Sequence, residues 1–361
     1  MPASGALGRV CGVALLVAGV LLVAAELGWR HLGFRPSVKD TPELWSLARA
    51  RASEEGPTVV MLGSSRFQAG LVPEVLEEAL GGARVEQLSI NGSSSLPLLE
   101  DVAADEDFRG LVLCEVSPTL FFSVEPNEAR ARPARYVAQH RHRTFVADWE
   151  TALRVPLQER LVVLLSDVHP KNVLRHLLVN RAPPPPPFSR TLASRQQQSD
   201  FAGLDVKPLR ALWARRTREA HGRAPEPAEL ESLLERVASA VDRIRARGGD
   251  VLFVRMVTSG EVRRIEDERY PRERYWDRLV QRTGEGLSFE DVPELARFEC
   301  PEDSHLDYRS TPGFTRLLAR ELRRRVPGRP GPVKFPWQPP SLAIDTEDPL
   351  QAESSPGDTP P

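Results

Sequence analysis

Two short segments that lie 240 positions apart carry the residue types best suited to chemistry. The first, residues 58–68, reads TVVMLGSSRFQ, and the second, residues 301–314, reads PEDSHLDYRSTPGF. A serine hydroxyl becomes an effective nucleophile when a neighbouring base removes its proton. An imidazole that is held by a carboxylate can act as that base. Ser65 and His305 are therefore the candidate nucleophile and base.

The first segment predicts a strand that runs into a tight turn. Residues 59–62 form a continuous apolar run, which is typical of a strand covered on both faces. Gly63, Ser64 and Ser65 follow at the strand end, where the next helix would point backbone N–H groups at the site. The alternative interpretation is that Ser64 and Ser65 only cap that helix.

The second segment places His305 two residues after Asp303 and three after Glu302. Either carboxylate could hold one imidazole nitrogen while the other nitrogen faces the serine, so both remain candidate acids. Two alternatives compete with this interpretation. His305 could be a surface histidine in an acidic loop, or Cys300 could pair with His305 as a thiol nucleophile.

The apolar pattern along the chain predicts an α/β fold. Strands are expected at residues 59–62, 85–90, 111–116 and 251–257. Helical spacing is expected at residues 41–52, 72–80, from 96, 171–178, 230–244, 263–282 and 314–322. This alternation indicates a three-layer, doubly wound, mostly parallel sheet with helices on both faces.

Four regions follow from composition. Residues 1–29 are predicted to be an N-terminal membrane anchor and residues 30–55 a juxtamembrane segment. Residues 56–325 form the α/β domain, which carries an insertion at about 118–227 with a five-proline run at 183–187. Residues 326–361 are Pro-rich with almost no periodicity, which predicts a disordered tail.

The leader predicts a membrane location. Residues 10–25 contain no charge, and extension through Trp29 gives a segment long enough to span a bilayer. A cleaved signal peptide is the alternative, because small residues occur at 23–25. More basic residues follow the segment than precede it, which does not favour an outside C-terminus, but long domains translocate largely regardless of such charges. We expect a single-pass inner-membrane protein with its domain in the periplasm.

Charge and motif content exclude several function classes. The net charge of −2 gives no electrostatic basis for binding nucleic acid. The turn GSSRFQ lacks the lysine of a phosphate-binding loop and the glycine spacing of a dinucleotide site. Neither the three cysteines nor the His140–His142 pair has the spacing of a well-formed metal site. No metal and no cofactor is therefore expected.

The two segments together resemble the SGNH (GDSL-like) hydrolase superfamily, especially its membrane-anchored bacterial branch. Residues 63–65, GSS, are similar to the first block, which implies that Ser65 is the nucleophile. Residues 87–94, QLSINGSS, resemble the second block, whose glycine donates to the oxyanion, here Gly92. Residues 301–313 resemble the last block, with His305 as the base and Glu302 or Asp303 as the acid.

The resemblance departs from the family at the third block. Residues 114–119 read CEVSPT and contain no asparagine for the oxyanion hole, so either Asn91 replaces it or the hole is depleted. The resemblance implies a flavodoxin-like fold and a membrane-anchored serine esterase or O-acyltransferase. Acyl esters of cell-envelope glycans are the implied substrates, with a membrane-bound acyl donor protein as a further partner. The alternative is a catalytically degenerate scaffold or glycan-binding protein.

Overall fold

The computed structural model describes residues 3–124, 127–219 and 223–325. The predicted tail at 326–361 lies outside these described residues. The helices are α1 (Ala3–His31), α2 (Pro42–Arg51), α3 (Ser65–Gly70), α4 (Pro73–Ala79), α5 (Leu96–Ala104), α6 (Pro118–Phe121), α7 (Glu128–Arg141), α8 (Phe145–Gln158), α9 (Pro170–Asn180), α10 (Lys207–Glu219), α11 (Pro227–Ala246), α12 (Gly260–Arg269), α13 (Trp276–Thr283), α14 (Pro293–Ala296) and α15 (Thr311–Arg325). Short 3-10 turns occur at Val162–Leu164 and Phe289–Asp291.

A five-stranded parallel sheet is the centre of the molecule. The strands are β1 (Thr58–Leu62), β2 (Arg84–Gln87), β3 (Leu111–Glu115), β4 (Ser189–Thr191), β5 (Gln197–Ser199), β6 (Asp250–Arg255) and β7 (Gly286–Ser288). The sheet order is β2-β1-β3-β6-β7, and every neighbouring pair is parallel. Strands β4 and β5 form a separate antiparallel hairpin. The predicted α/β class with a parallel sheet is confirmed.

Both faces of the sheet are buried, as the continuous apolar run of β1 predicts. Val60 and Leu62 belong to one apolar cluster, which α2, α5 and α11 cover. Val59 and Met61 belong to the second cluster, which α4, α14 and α15 cover. Because successive side chains of a strand point to opposite faces, β1 contributes to both clusters and must be apolar at every position.

Two predicted elements differ from the structure, and other elements were not predicted. Strand β2 ends at Gln87, although Leu88 and Ile90 still donate backbone hydrogen bonds to β1 and the turn after it. The single helical region predicted at 263–282 is two helices, because Pro271 lacks the N–H group that a continuous helix needs. Strand β7 was not predicted, since three residues are too few to show an alternating pattern.

Helix α1 is a long apolar helix whose described side chains are largely exposed. Within it, Gly8–His31 is long and apolar enough to cross a membrane, with a mean hydropathy of 2.5 over its best window. Its last turns contact the chain between α8 and α9, because the Glu26 carboxylate accepts hydrogen bonds from the amides of Val162 and Val163, each at 3.0 Å. The length, composition and N-terminal position of α1 are consistent with either a membrane anchor or a signal sequence.

The β4–β5 hairpin lies over the carboxyl edge of the sheet and joins it to the segment after α1. The amide of Val38 donates to the carbonyl of Thr191 at 2.9 Å. Arg195, which is only 1% exposed, donates to the carbonyl oxygens of Gln87 and Ser89 and to the carboxylate of Asp40. The chain that leaves α1 is therefore attached to the same edge of the sheet at which β1 ends.

Candidate active site

Ser65 is the first residue of α3, immediately after β1. Ser64 is the N-cap residue, and its hydroxyl accepts a hydrogen bond from the amide of Arg66 at 3.2 Å. Ser64 therefore caps the helix, as the alternative interpretation expected, whereas Ser65 directs its hydroxyl elsewhere. The amide of Ser65 lies in the first turn of the helix, where no intrahelical acceptor is available to it.

Ser65, His305 and Glu302 form a continuous hydrogen-bonded chain. The Ser65 hydroxyl lies 2.8 Å from Nε2 of His305, and Nδ1 of His305 lies 2.8 Å from Oε1 of Glu302. All three side chains are at least nine-tenths buried. With Glu302 as acceptor, the neutral imidazole carries its proton on Nδ1, which leaves Nε2 free to accept the serine proton.

The structure separates the two carboxylates that the sequence left as alternatives. Asp303 has a left-handed backbone conformation, with φ of 74°, which turns its side chain away from the imidazole. Its carboxylate accepts the amide of Glu261 at 3.1 Å, at the start of α12, and lies 3.5 Å from Nε of Arg210. Glu302 thus orients His305, whereas Asp303 anchors α12 and α10 to the same loop.

A buried carboxylate, Glu115 at the end of β3, holds the Gly63–Ser65 turn. Its two oxygens accept the amide of Ser64 at 2.6 Å, the hydroxyl of Ser64 at 2.7 Å and the amide of Phe67 at 3.3 Å. The approach is so close that a Cβ on Gly63 would lie 2.4 Å from a Glu115 oxygen. Position 63 therefore requires glycine for space.

Burial raises the pKa of Glu115, although Arg66 and the hydrogen bonds from Ser64 and Phe67 act in the opposite direction. A raised carboxyl pKa means that the stability this group contributes is present below its usual pKa and is lost as the pH rises through the folded-state value. We expect Glu115→Gln to gain apparent Tm relative to the wild type between pH 5 and pH 8, by about 1–3 °C.

Thermal unfolding of both proteins at one scan rate across this pH range measures the effect. Arg84→Gln, a partly exposed control at the opposite edge of the sheet, should show no such trend. If the difference between Glu115→Gln and the wild type stayed constant or fell as the pH rose, the carboxyl group would be ionised over the whole range.

Arg66 connects α3 to the loop that carries His305. Its guanidinium makes two hydrogen bonds to Glu266 of α12, at 2.9 and 3.2 Å, and Nε lies 3.4 Å from the hydroxyl of Ser304, the residue before His305. Arg66 and Glu266 are both buried. Loss of one partner would leave a buried charge unpaired, which typically destabilises a protein by about 3–5 kcal/mol.

Neither buried cysteine is placed to act as the nucleophile. The Cys300 thiol is buried and lies 3.4 Å from the carbonyl of Val257, and burial raises the pKa of the thiol strongly. Burial also raises the pKa of Cys114, on β3, to about 12. Both groups therefore stay protonated near neutral pH, and His305 is hydrogen-bonded to Ser65 instead.

Trp213 of α10 packs on the base from the segment predicted as an insertion. The centres of the Trp213 and His305 rings are 5.0 Å apart in an edge-on arrangement. Arg210, one turn earlier, donates to the carbonyl of Pro301 at 2.9 Å. Helix α10 is thus fixed at two points to the loop that carries His305, and Trp213 covers one side of the His305 ring.

The predicted oxyanion residues lie on the neighbouring β2 turn. The amide of Ile90 donates to the carbonyl of Gly63 at 2.9 Å, so the loop that carries Asn91 and Gly92 begins next to the turn at Gly63. Gly92 has φ of 65°, a conformation that favours glycine. The exposed Asn91 lines a cavity of about 190 Å³ together with Gln68, Arg132, Tyr136 and Gln197.

Sequence reasoning missed Glu115, Arg66, Glu266 and Trp213. A signal existed for Glu115, because a charged residue at the end of an otherwise apolar strand indicates a buried carboxylate with polar partners. Within the described residues no group of three or more His, Cys, Asp and Glu side chains is arranged to bind a metal ion. His140, one half of the HxH pair, instead bonds the hydroxyl of Ser46 at 2.8 Å.

Comparison with known proteins finds distant structural likenesses, of which one is described here. No family model matches the chain, and no curated protein matches it. A solved structure described as the crystal structure of TesA is similar with a TM-score of 0.33 and 11% sequence identity, over 74% of this chain and 98% of that one. At this distance the roles of Ser65, His305 and Glu302 rest on the geometry of the chain itself.

Proposed function

We propose that the protein is a membrane-anchored serine esterase or O-acyltransferase that acts on acyl esters of cell-envelope glycans. One observation carries the proposal: a hydrogen bond of 2.8 Å joins Ser65 to His305, and a second of 2.8 Å joins His305 to Glu302. This order of nucleophile, base and acid is the arrangement by which a serine is activated for acyl transfer. The resemblance of the three blocks to SGNH hydrolases supports the same chemistry.

The reaction would proceed through an acyl-serine. The Ser65 oxygen attacks the ester carbonyl while His305 takes the serine proton, and the charge that forms on His305 is stabilised by Glu302. Backbone amides, those of Ser65 and Gly92 being the candidates, would hold the oxyanion. The ester C–O bond then breaks and His305 returns the proton to the leaving alcohol. Water or a sugar hydroxyl attacks the acyl-serine in a second step that repeats these proton transfers.

Two features support a glycan at the envelope as the substrate. The cavity beside α3 does not include Ser65 or His305 among its lining residues, but it is lined mainly by polar groups, among them Asp40, Gln68 and Arg132, which suit a substrate rich in hydroxyl groups. Helix α1 suits a single-pass inner-membrane anchor, and we place the domain in the periplasm. A membrane-bound acyl donor protein would supply the acyl group in the transfer reaction.

Active-site labelling tests the proposal directly. A fluorophosphonate probe reacts with a serine only when a base activates it, so we expect about one probe per protein, located at Ser65 by peptide mass spectrometry. Ser65→Ala should lose the label, whereas Cys300→Ser should keep it because that thiol faces Val257. No labelling, or equal labelling of Ser65→Ala, would contradict the proposal.

A non-catalytic glycan-binding protein is the second candidate. The observation that favours it is the absence of asparagine from residues 114–119, where related enzymes have an oxyanion donor. Such a protein would keep the cavity beside α3 but would not need an activated serine. Stoichiometric modification of Ser65 by the probe would therefore exclude this candidate.

A further inference from the structure

Helix α8 turns its apolar face away from the protein. Four of its five exposed large apolar side chains recur every four residues and so share one face: Phe145 is 75% exposed, Trp149 55%, Leu153 63% and Leu157 53%, while the fifth is Val146. The opposite face contacts the protein through polar residues, because Thr151 and Gln158 are the buried positions of this helix. This is the reverse of the usual surface helix, which buries its apolar stripe.

Helix α9 has the same property in stronger form. No residue of α9 is buried. Leu174 is 59% exposed, Leu177 44%, Leu178 74% and Val179 73%, and the first three share one face of the helix. Large exposed apolar surfaces in soluble proteins mark a site of contact with another protein or a membrane.

Helix α1 contacts the chain that links α8 to α9. This contact sets the depth of α8 and α9 relative to a bilayer that α1 crosses. The 3-10 turn Val162–Leu164 lies between α8 and α9, and its amides bind the Glu26 carboxylate. Glu26 directly follows the uncharged run at residues 10–25. If residues 10–25 fill the hydrocarbon core, the 3-10 turn lies at the boundary between the core and the headgroups. Helices α8 and α9 flank this turn and therefore start near the same boundary.

Charge on the same segment suits an anionic surface. Residues 141–181 contain seven Lys and Arg and four Asp and Glu, a net charge of 7 − 4 = +3, whereas the whole chain carries −2. The basic residues border the apolar faces, at Arg143, Arg160, Lys171, Arg175 and Arg181. Basic residues that flank an exposed apolar face are typical of helices that lie in the headgroup region of a membrane.

We propose that α8 and α9 lie in the interface of an anionic phospholipid bilayer beside α1. This inference rests on the membrane anchoring proposed for α1 and goes beyond it, because it assigns a lipid contact to the segment at 145–179. Membrane contacts through α1, α8 and α9 together would fix the orientation of the domain relative to the bilayer. A single helix followed by a loop would leave the domain free to rotate. The β4–β5 hairpin joins the segment after α1 to the carboxyl edge of the sheet, so the edge that bears Ser65 is held toward the membrane.

The test uses the full chain in vesicles of phosphatidylcholine and phosphatidylglycerol. Leu153→Cys and Leu178→Cys, each in a Cys11→Ser background, are labelled with an environment-sensitive fluorophore, since Cys114 and Cys300 are buried. Both positions are exposed, so the label should not disturb the fold. Glu54→Cys is the matched control, because Glu54 is 57% exposed and precedes β1 at the opposite edge of the sheet. Nitroxide-bearing lipids serve as the quencher.

We expect lipid quenching at positions 153 and 178 to be at least about twofold stronger than at position 54, since interfacial helices bury their apolar face about 5–10 Å into the headgroup boundary. Equal quenching at all three positions would overturn the proposal, as would cross-linked dimers that protect 153 and 178 from lipid. The wild-type chain labelled at Cys11 reports on α1 separately. Quenching there without quenching at 153 and 178 would retain the anchor and reject the interfacial helices.

Discussion

Ser65→Ala is expected to lower kcat/KM for p-nitrophenyl acetate by at least about a thousandfold, because removal of the nucleophile leaves only binding and oxyanion contributions. The substitution should leave the fold intact. Alanine is a good residue for the first turn of a helix, and the Ser65 hydroxyl bonds His305 rather than a structural partner. Initial rates on the purified full chain in detergent measure the effect.

An unchanged apparent Tm for Ser65→Ala would attribute the loss of rate to chemistry rather than to unfolding. Cys300→Ser is the matched control, since its thiol lies against Val257 and should contribute little to the rate. If Ser65→Ala retained full activity while Cys300→Ser lost it, the nucleophile would be the thiol and the assignment of Ser65 would be wrong.

Glu302→Gln and Asp303→Asn are expected to differ by at least about a hundredfold in kcat/KM, with Glu302→Gln the slower. In the wild type, Oε1 of Glu302 accepts both the amide and Nδ1 of His305, and Oε2 has no partner among the described residues. A glutamine can therefore keep its oxygen in the accepting position. It loses only the charge that stabilises the imidazolium.

Asp303→Asn is a close control because it lies one residue away and removes the same charge. Asparagine tolerates the left-handed backbone at position 303, and its oxygen can still accept the amide of Glu261. We expect its rate to stay within about threefold of the wild type, since the Asp303 carboxylate bonds Glu261 and Arg210 rather than His305, and the Arg210 side chain is half exposed. Equal losses in both variants would mean that the loop, rather than Glu302, sets the rate.

Local sequence patterns predicted the elements that carry the two segments. Residues 59–62 had to form an inner strand because four successive apolar residues leave no face for water, and the Gly-Ser-Ser turn ended it. The pairing of Ser65 with His305 was inferred from residue types alone, and the structure places them in contact. The strand could be predicted because it depends on a few neighbouring residues, and the distant pairing could be inferred because a nucleophilic serine and a carboxylate-held histidine are complementary in chemistry.

The choice between Glu302 and Asp303 could not be made from sequence. It depends on a left-handed backbone at Asp303, which is stabilised by the amide of Glu261 more than 40 positions earlier. The partners that bury Glu115 and Arg195 could not be predicted for a similar reason. Each charged side chain is buried because backbone N–H or C=O groups from distant segments hydrogen-bond it, and a sequence pattern does not show such partners.

The separation of the nucleophile from its base has a consequence for the order of events during synthesis. Ser65 is synthesised 240 residues before His305, and the neighbouring Arg66 is synthesised 200 residues before its partner Glu266. At translation rates of about 5–20 residues per second, the serine is without its base for roughly 10–50 s. Under the proposed function, the nascent chain would lack the base for this whole interval and would gain it only when the C-terminal loop docks.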